Sequence, residues 1–403
     1  TSKADVVITE IGGTVGDIES QSFIEALRQI QYEKGKENTF FVHTTLIPYI
    51  YGSNELKTKP TQNSVRDLRN MGIRPDALVC RAPFDTGENI KKKLSMFCSV
   101  PVENVIDSID VKNIYEIPIN YYKQHIDEII LKQFNLPVKK ANLKYWENLI
   151  KTVDNLKGEI EISLVGKYVE LHDAYISVVE ALKSAGYKYS KKININWIDS
   201  ENLEKENVNL KEIFKNTNGI LVPGGFGTRG ISGKIKAINY ARVNKIPFLG
   251  ICLGMQLAVI EFARNVAGIK DASSTEFDEM CKNPVIDLMA DQKSIINMGG
   301  TLRLGNYECS LKEKTLAHKV YKEDKILERH RHRYEFNNEY KELLEQKGLV
   351  FSGINEASNL VEIVEIPTHP HFIASQFHPE FKSRPTRPHP LFDSFIKASI
   401  DKK

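Results

Sequence analysis

Residues 246–263 read IPFLGICLGMQLAVIEFA, and no other stretch restricts the fold so tightly. An apolar run of strand character enters Gly250-Ile251-Cys252-Leu253-Gly254 and leaves as a helix. This is the G-x-nucleophile-x-G pattern of a sharp strand-to-helix elbow, with cysteine where serine often stands. Such a turn forces a strained backbone, and side chains at the flanking positions would clash, which explains glycine two residues before and two after. The elbow sets the sulfur beside a helix N-terminus, whose partial positive charge favours a thiolate. The Leu253 N–H is then placed to donate to an oxyanion. Most cysteines are small buried apolar residues. The paired glycines between strand and helix reverse that preference for Cys252.

A thiolate nucleophile needs a base, and the base needs an orienting acid. His378 and Glu380 in IASQFHPEF are the best-placed pair: among ten histidines, His378 closes a buried strand and has a carboxylate two residues on. A histidine before proline is by itself usually a turn residue, and its meeting with Cys252 is an expectation about space. Gly224-Gly225-Phe226-Gly227 follows the strand GILVP and offers backbone N–H groups as a second oxyanion donor. Gly225, Gly227 and Gly230 also spell G-x-G-x-x-G. A dinucleotide fold needs an acid at the end of the next strand, but that strand is IPFLGIC and has none, so the nicotinamide reading is rejected.

The chain has 403 residues, enough for two domains, and 41% hydrophobic with 27% charged residues is an ordinary globular composition. A net charge of +3 gives no reason to expect nucleic-acid or membrane-surface binding. No apolar run approaches the roughly 20 residues that span a bilayer. Five cysteines without a CxxC pair suit a reduced, cytoplasmic setting.

Residues 5–136 alternate strand-like runs (VVIT, TFFVHTTLIPYI, DALVC) with amphipathic stretches (SQSFIEALRQIQYEKG, TQNSVRDLRNMG), the signature of a mainly parallel sheet with helical crossovers. Ser20 or Ser22 is the expected cap of the first helix, with apolar positions 23, 24, 27 and 30 on one face. Residues 137–158 form a charged, helix-like connection between Pro137 and Gly158. A second α/β series starts near 160 with IEISLVG and a helix over 174–185. The strands INWID, GILVPGG and IPFLGIC come next, followed by several β-rich runs. The expectation is an α/β chain of two domains, 1–136 and 159–403, each with a mainly parallel sheet, joined by the 137–158 linker.

Two further strings carry polar chemistry. Glu10-Ile-Gly-Gly-Thr-Val-Gly-Asp17-Ile18-Glu19-Ser gathers three carboxylates on a glycine-rich loop after a strand, a donor set suited to Mg²⁺ beside phosphates. An ordinary turn is an equally good reading. Lys57-Thr58-Lys59-Pro60-Thr61-Gln62 leads into a helix with two lysines, two hydroxyls and open N–H groups, suited to a phosphate chain. An exposed charged loop accounts for it equally well. The basic run RHRHR reads, by itself, as a solvated strand rather than a metal-binding H-x-H.

PGGFG, GICLGMQ and FHPEF, in this order and separation, resemble class I glutamine amidotransferases. The fuller strings IGGTVGDIES, KTKPTQ, GGFGTRG, GICLGMQLA, SSTEF, ERHRHRYEFNN and SQFHPEF resemble the CTP synthase family, and the resemblance runs from Glu10 to about Lys397. It implies a P-loop-like, Rossmann-like amidoligase domain followed by a glutaminase domain. It also implies amination of UTP to CTP at the expense of ATP, with ammonia from glutamine. Cys252 is then the nucleophile, His378 the base and Glu380 its orienter. Glutamine is held by Gly225, Leu253, Gly254, Met255, Gln256, Glu276 and Arg333, and a guanidinium at Arg333 suits bidentate grip of a carboxylate. UTP, or inhibitory CTP, falls to Asp17, Ile18, Glu19, Lys57, Thr58, Lys59, Pro60, Thr61, Gln62 and Lys93. The ATP base falls to Ile109, Asp110 and Val111, and Mg²⁺ to Glu10. GTP as activator, a homotetramer and filaments are further family expectations.

The family also carries an upstream phosphate loop with a lysine and a further magnesium-binding aspartate, and neither occurs in this sequence. The expectation is therefore a chain limited to glutamine hydrolysis. The rival readings are a different class I amidotransferase or γ-glutamyl hydrolase, which has no use for IGGTVGDIES or KTKPTQ, and a non-enzymatic nucleotide-sensing or assembly module.

Overall fold

The computed structural model describes residues 4–167, 169–288 and 302–402. The chain divides into two compact units, residues 1–151 and 152–403, each with its own sheet. In the first, β1 (Val42–Leu46), β2 (Ala77–Ala82) and β3 (Val105–Ile109) pair in parallel in that order. TFFVHTTLIPYI yields a shorter strand than its apolar length suggests, because Pro48 has no N–H to continue a ladder. Helix α1 (Gln21–Lys34) precedes β1, and α2 (Lys59–Asn70) and α3 (Glu88–Cys98) supply the two crossovers. Leu78, Cys80, Val65, Leu94 and Val105 form the buried core.

Two local expectations fail here. Val6–Thr9 forms no strand, and Val7 and Ile8 are 72% and 93% exposed. An extended segment becomes a strand only by pairing its backbone groups, and among the described residues nothing pairs with it. Ser20 occupies the cap position of α1 but makes no side-chain cap, because its hydroxyl donates to the Asp17 carbonyl instead. Of the four apolar positions expected on one face of α1, Phe23 and Ile30 are exposed, while Ile24 is buried. The connection expected over 137–158 contains α4 (Lys144–Asp154).

The second unit is built on β4 (Glu159–Gly166), β5 (Lys192–Asp199), β6 (Gly219–Val222), β7 (Phe248–Ile251), β8 (Arg303–Leu311), β9 (Lys325–His332), β10 (Val350–Asn355), β11 (Leu360–Glu365) and β12 (Phe372–Ser375). Among the described residues these make one sheet in the order β9-β8-β10-β11-β12-β7-β6-β4-β5. The strands from β12 to β5 pair in parallel, whereas β11, β10, β8 and β9 extend the sheet as an antiparallel wing. The sheet is thus mixed, and the β-rich C-terminal runs account for the difference. They follow one another without helices long enough for parallel crossovers.

Alternate residues of the central strands face two cores. Ile220, Val222 and Phe248 pack with α6 (Ile231–Val243) and α7 (Leu253–Asn265). Leu221, Leu249 and Ile251 pack with α5 (Ile176–Lys188) and α8 (Pro390–Asp401). Residues 253–263 of α7 are all buried, as expected of a helix apolar on every side. That packing leaves no room at Gly254, where a Cβ would overlap the Val222 carbonyl. Gly254→Ala is expected to cost about 1–3 kcal/mol or more, read as a lower denaturant midpoint, and wild-type stability in this variant would refute the close approach.

No helix among the described residues is long and apolar enough to cross a membrane.

Candidate active site

Cys252 stands between β7 and α7 with φ 53° and ψ −106°, a backbone conformation that a non-glycine residue adopts only under constraint. The constraint comes from both sides. The Cys252 N–H donates to the Ser375 carbonyl at 2.7 Å, and its own carbonyl accepts from Met255 N at 2.9 Å and Gln256 N at 3.2 Å. A Cβ on Gly250 would lie 2.8 Å from the Gly254 oxygen and 2.9 Å from Ala374 Cβ. Leu253 opens the helix, so its N–H is one of the donors that a helix start leaves without an intrahelical acceptor.

The second group arrives through the sheet. β12 lies parallel beside β7, with Ser375 opposite Ile251, so both strands end on the same side of the sheet. Beyond Ser375 the chain continues through Gln376 and Phe377 to His378, whose N–H is held by the Arg329 carbonyl at 2.8 Å. Gly224 lets the two side chains meet. A Cβ there would lie 2.9 Å from His378 Cε1, 3.7 Å from His378 Nε2 and 3.5 Å from Cys252 Cβ.

His378 Nδ1 bonds Glu380 Oε1 at 2.7 Å, with both residues 9% exposed. Burial opposes the charged imidazole, but the Cys252 side chain and the Glu380 carboxylate outweigh it and raise the pKa from 6.5 to about 10. His378 is thus paired with Glu380 and shares the space over Gly224 with Cys252, its Nε2 has no hydrogen-bond partner among the described residues, and its ring stacks on Phe381.

The Gly225–Gly227 segment is gripped from two directions. Lys167 Nζ donates to the Phe226 carbonyl and to the Gly227 carbonyl. Gly227 N–H donates to Glu276 Oε1 at 2.9 Å. Burial pushes the Glu276 carboxyl up, and the Gly227 N–H, Lys167, Arg333 and Lys234 pull it back. Glu276 and Arg333, far apart in sequence, therefore share one electrostatic neighbourhood. Met255 is wholly buried in the core. The Gln256 amide donates to the Tyr334 carbonyl at 3.0 Å and to Gln376 Oε1 at 3.2 Å. That side chain thus ties the elbow helix to the segment that carries Arg333.

Gln376, Lys167 and Lys234 were missed by sequence reasoning. Gln376 Nε2 approaches Cys252 Sγ at 3.7 Å; its place two residues before His378, in the same string, was a usable signal. A lysine in a helical segment such as SGKIKAINYARV gives no signal of burial.

The run RHRHR is not a solvated strand. Exposure alternates along β9, and Glu328, His330 and His332 lie on its buried face. His330 Nδ1 and His332 Nε2 are 2.8 Å apart, and both rings lie beside Arg303, Glu335 and Glu362. Among the described residues no group of three His, Cys, Asp or Glu side chains is placed to hold a metal ion.

In the first unit, Glu10, Asp17, Ile18 and Glu19 are exposed, and Asp17 Oδ2 accepts from Thr14 N at 2.8 Å. Glu10, Asp17 and Glu19 do not gather into a three-carboxylate cluster. Thr61 is buried against Thr45 and the Leu46 carbonyl, and Gln62 donates to Thr58. Lys57 pairs with Glu55, while Lys59 at the start of α2 and Lys93 on α3 are exposed. Ile109 ends β3, followed by Asp110, paired with Arg81, and by Val111.

Residues 1–136 match the family described as CTP synthase N-terminus, and residues 170–398 match glutamine amidotransferase class-I. The CTP synthase of Caldanaerobacter subterraneus subsp. tengcongensis is 56% identical over 399 residues, 99% of this chain and 74% of that protein. The chain belongs to the CTP synthase family. The CTP synthase of Halalkalibacterium halodurans is 55% identical over all of this chain and 75% of its own length. The solved glutaminase domain of Trypanosoma brucei CTPS, with bound acivicin, shares 39% identity at a TM-score of 0.57, covering 60% of this chain and 95% of that one. As a CTP synthase family member, the chain is an enzyme with a glutaminase domain.

Proposed function

We propose that the second unit hydrolyses glutamine with Cys252 as nucleophile, His378 as proton carrier and Glu380 as orienter, supplying ammonia for ATP-dependent amination of UTP to CTP. The observation that supports this most strongly is Cys252 at a strained elbow with the buried, hydrogen-bonded His378–Glu380 pair beside it across Gly224.

Cys252 sulfur attacks the carboxamide carbon, and the new oxyanion is received by the Leu253 and Gly225 N–H groups. His378 gives its proton to the departing nitrogen, the C–N bond breaks, and ammonia leaves behind a glutamyl thioester. The neutral imidazole takes a proton from water, whose oxygen attacks the thioester. The C–S bond breaks, releasing glutamate and restoring the thiolate–imidazolium pair. Arg333 and Glu276 are the partners proposed for the substrate's α-carboxylate and α-amino group, since a bidentate guanidinium and a carboxylate match those charges.

ATP, UTP and inhibitory CTP belong in this reading to the first unit, with Lys57 to Gln62, Lys93, Asp17 to Glu19 and Ile109 to Val111 as the residues to test. Magnesium accompanying ATP would supply charge neutralisation of the phosphates, and Glu10 is the carboxylate proposed to face it. GTP activation and a homotetramer are part of the same proposal.

The deciding experiment is glutamate release from glutamine by the purified chain, with and without GTP, alongside labelling by a diazoketone analogue of glutamine. Turnover together with a label mapped to Cys252 is the expected result. A protein that neither hydrolyses glutamine nor takes the label at Cys252 would sink the reading. CTP formation from UTP, ATP and free ammonia tests the nucleotide half separately.

A further inference from the structure

Lys234 lies in the first turn of α6 and is wholly buried, 0% exposed. Among the described residues its Nζ has no hydrogen-bond partner. Burying an ammonium or amine without a partner costs several kcal/mol, so a fold retains one only where something else requires it. The nitrogen lies 3.8 Å from where a Cβ on Gly225 would sit, and Lys167 Cε lies 3.7 Å from the same point. The charges that act on it are those of Lys167, Glu276 and Cys252. An unpaired cationic group therefore stands against the segment proposed to receive the oxyanion.

Nothing in the steps of glutamine hydrolysis uses this side chain. Resting on the glutaminase reading, we propose that Lys234 is a positioning residue whose buried charge supports the Gly225–Gly227 segment electrostatically as negative charge develops on the substrate oxygen. Its reach is through the segment and not by contact with substrate. In a water-poor interior a nearby positive charge lowers the free energy of an anionic intermediate far more than it does in water. The cost of keeping the charge unpaired in the resting enzyme is then recovered in the transition state.

The surroundings leave the Lys234 charge without a fixed partner. Burial lowers the Lys234 pKa to about 7, with Lys167 repulsion adding to it and Glu276 and Cys252 opposing. The short helix Ser200–Leu203 packs against the first turn of α6, and its acid Glu201 pairs with Arg229. Beyond that helix, Glu204 accepts the Ser232 and Gly233 N–H groups. Glu276 already accepts the Gly227 N–H, and His378 lies on the far side of Cys252. These groups leave Lys234 without a dedicated counter-ion.

The test is K234M, which keeps the length of the side chain and removes the nitrogen. The expected result is a kcat lowered about 10- to 100-fold with KM within about twofold, flattening of the alkaline limb of the kcat–pH profile, where wild-type Lys234 loses its charge above about 7, and a denaturant midpoint at or above wild type. The iodoacetamide alkylation rate of Cys252 is expected to fall in the same variant. Unchanged kcat overturns the proposal. So does a destabilised or unfolded K234M, because a purely structural lysine would lose stability and activity together. A wild-type chain without glutaminase activity defeats the functional reading instead. In that case the alkylation comparison still tests Lys234, and equal rates overturn its proposed role.

Discussion

Cys252→Ala is expected to abolish glutamine hydrolysis, with kcat reduced about 10⁴-fold or more, because no other group in the site forms the thioester. The same variant carries a second readout that activity alone does not provide. The Cys252 side chain is the chief attraction raising the His378 imidazole against burial, followed by Glu380. Removing the sulfur is therefore expected to lower the His378 pKa from about 10, observed as a shifted histidine titration by NMR. A raised folded-state pKa means that the charged ring stabilises the fold fully below its ordinary 6.5, and that this contribution is lost as pH rises through about 10. In Cys252→Ala the loss moves to lower pH. An unmoved titration would mean that the two side chains do not interact, and residual turnover would place the nucleophile elsewhere.

Arg303→Met is expected to be the most damaging single change to the second unit. Arg303 is 7% exposed; its Nη1 lies 2.7 Å from Glu362 Oε1 and 3.5 Å from Glu335 Oε1. Its guanidinium also covers the Tyr307 ring at 4.3 Å. Burial raises both carboxyls, Glu335 well above its ordinary value and Glu362 to about 7, and Arg303 opposes this in each case. An acid with a raised folded-state pKa binds more protons folded than unfolded, so stability falls as pH rises between 4.5 and about 7. Without Arg303 the rise is larger and the loss extends to higher pH. The expected cost is about 3–5 kcal/mol at pH 8, clearly smaller at pH 5, where the two carboxyls take up protons. Denaturant unfolding at both values measures it. Equal penalties at the two pH values would show that the carboxyls are not the reason. Arg303 also pairs in register with His332, the neighbour of Arg333, the residue proposed to hold the substrate carboxylate.

The elbow was legible because its constraints are local. Glycines at 250 and 254 flank a residue that must take φ 53°, and a buried helix follows at once. The same locality explains the errors. VVIT reads as a strand by composition, yet a strand exists only through a neighbour, and composition carries no information about neighbours. RHRHR alternates with period 2, so one face could be buried. One deciding partner, Glu362 from β11, is distant in sequence, and Glu335, three residues beyond His332, carries no sign of burial in the run itself, so the run alone looks solvated. Lys234 is the extreme case, since lysine in a helix ordinarily faces water. The parallel centre of the second sheet followed from alternating strands and helices, whereas the antiparallel wing emerged only from strand pairing.

The sequence by itself determined a cysteine at a strand-to-helix turn, a histidine and a glutamate at the end of a buried strand, and two α/β units. These depend on contacts a few residues apart. Only the tertiary structure decided that β12 lies beside β7, so that His378 reaches Cys252 across 126 positions, the difference of their residue numbers. It also decided that Glu276, Lys167 and Lys234 surround one glycine segment, with Arg333 acting on Glu276. Such meetings depend on chain closure over long loops, where the entropic cost is nearly indifferent to which residues meet. Packing of the whole sheet makes the selection.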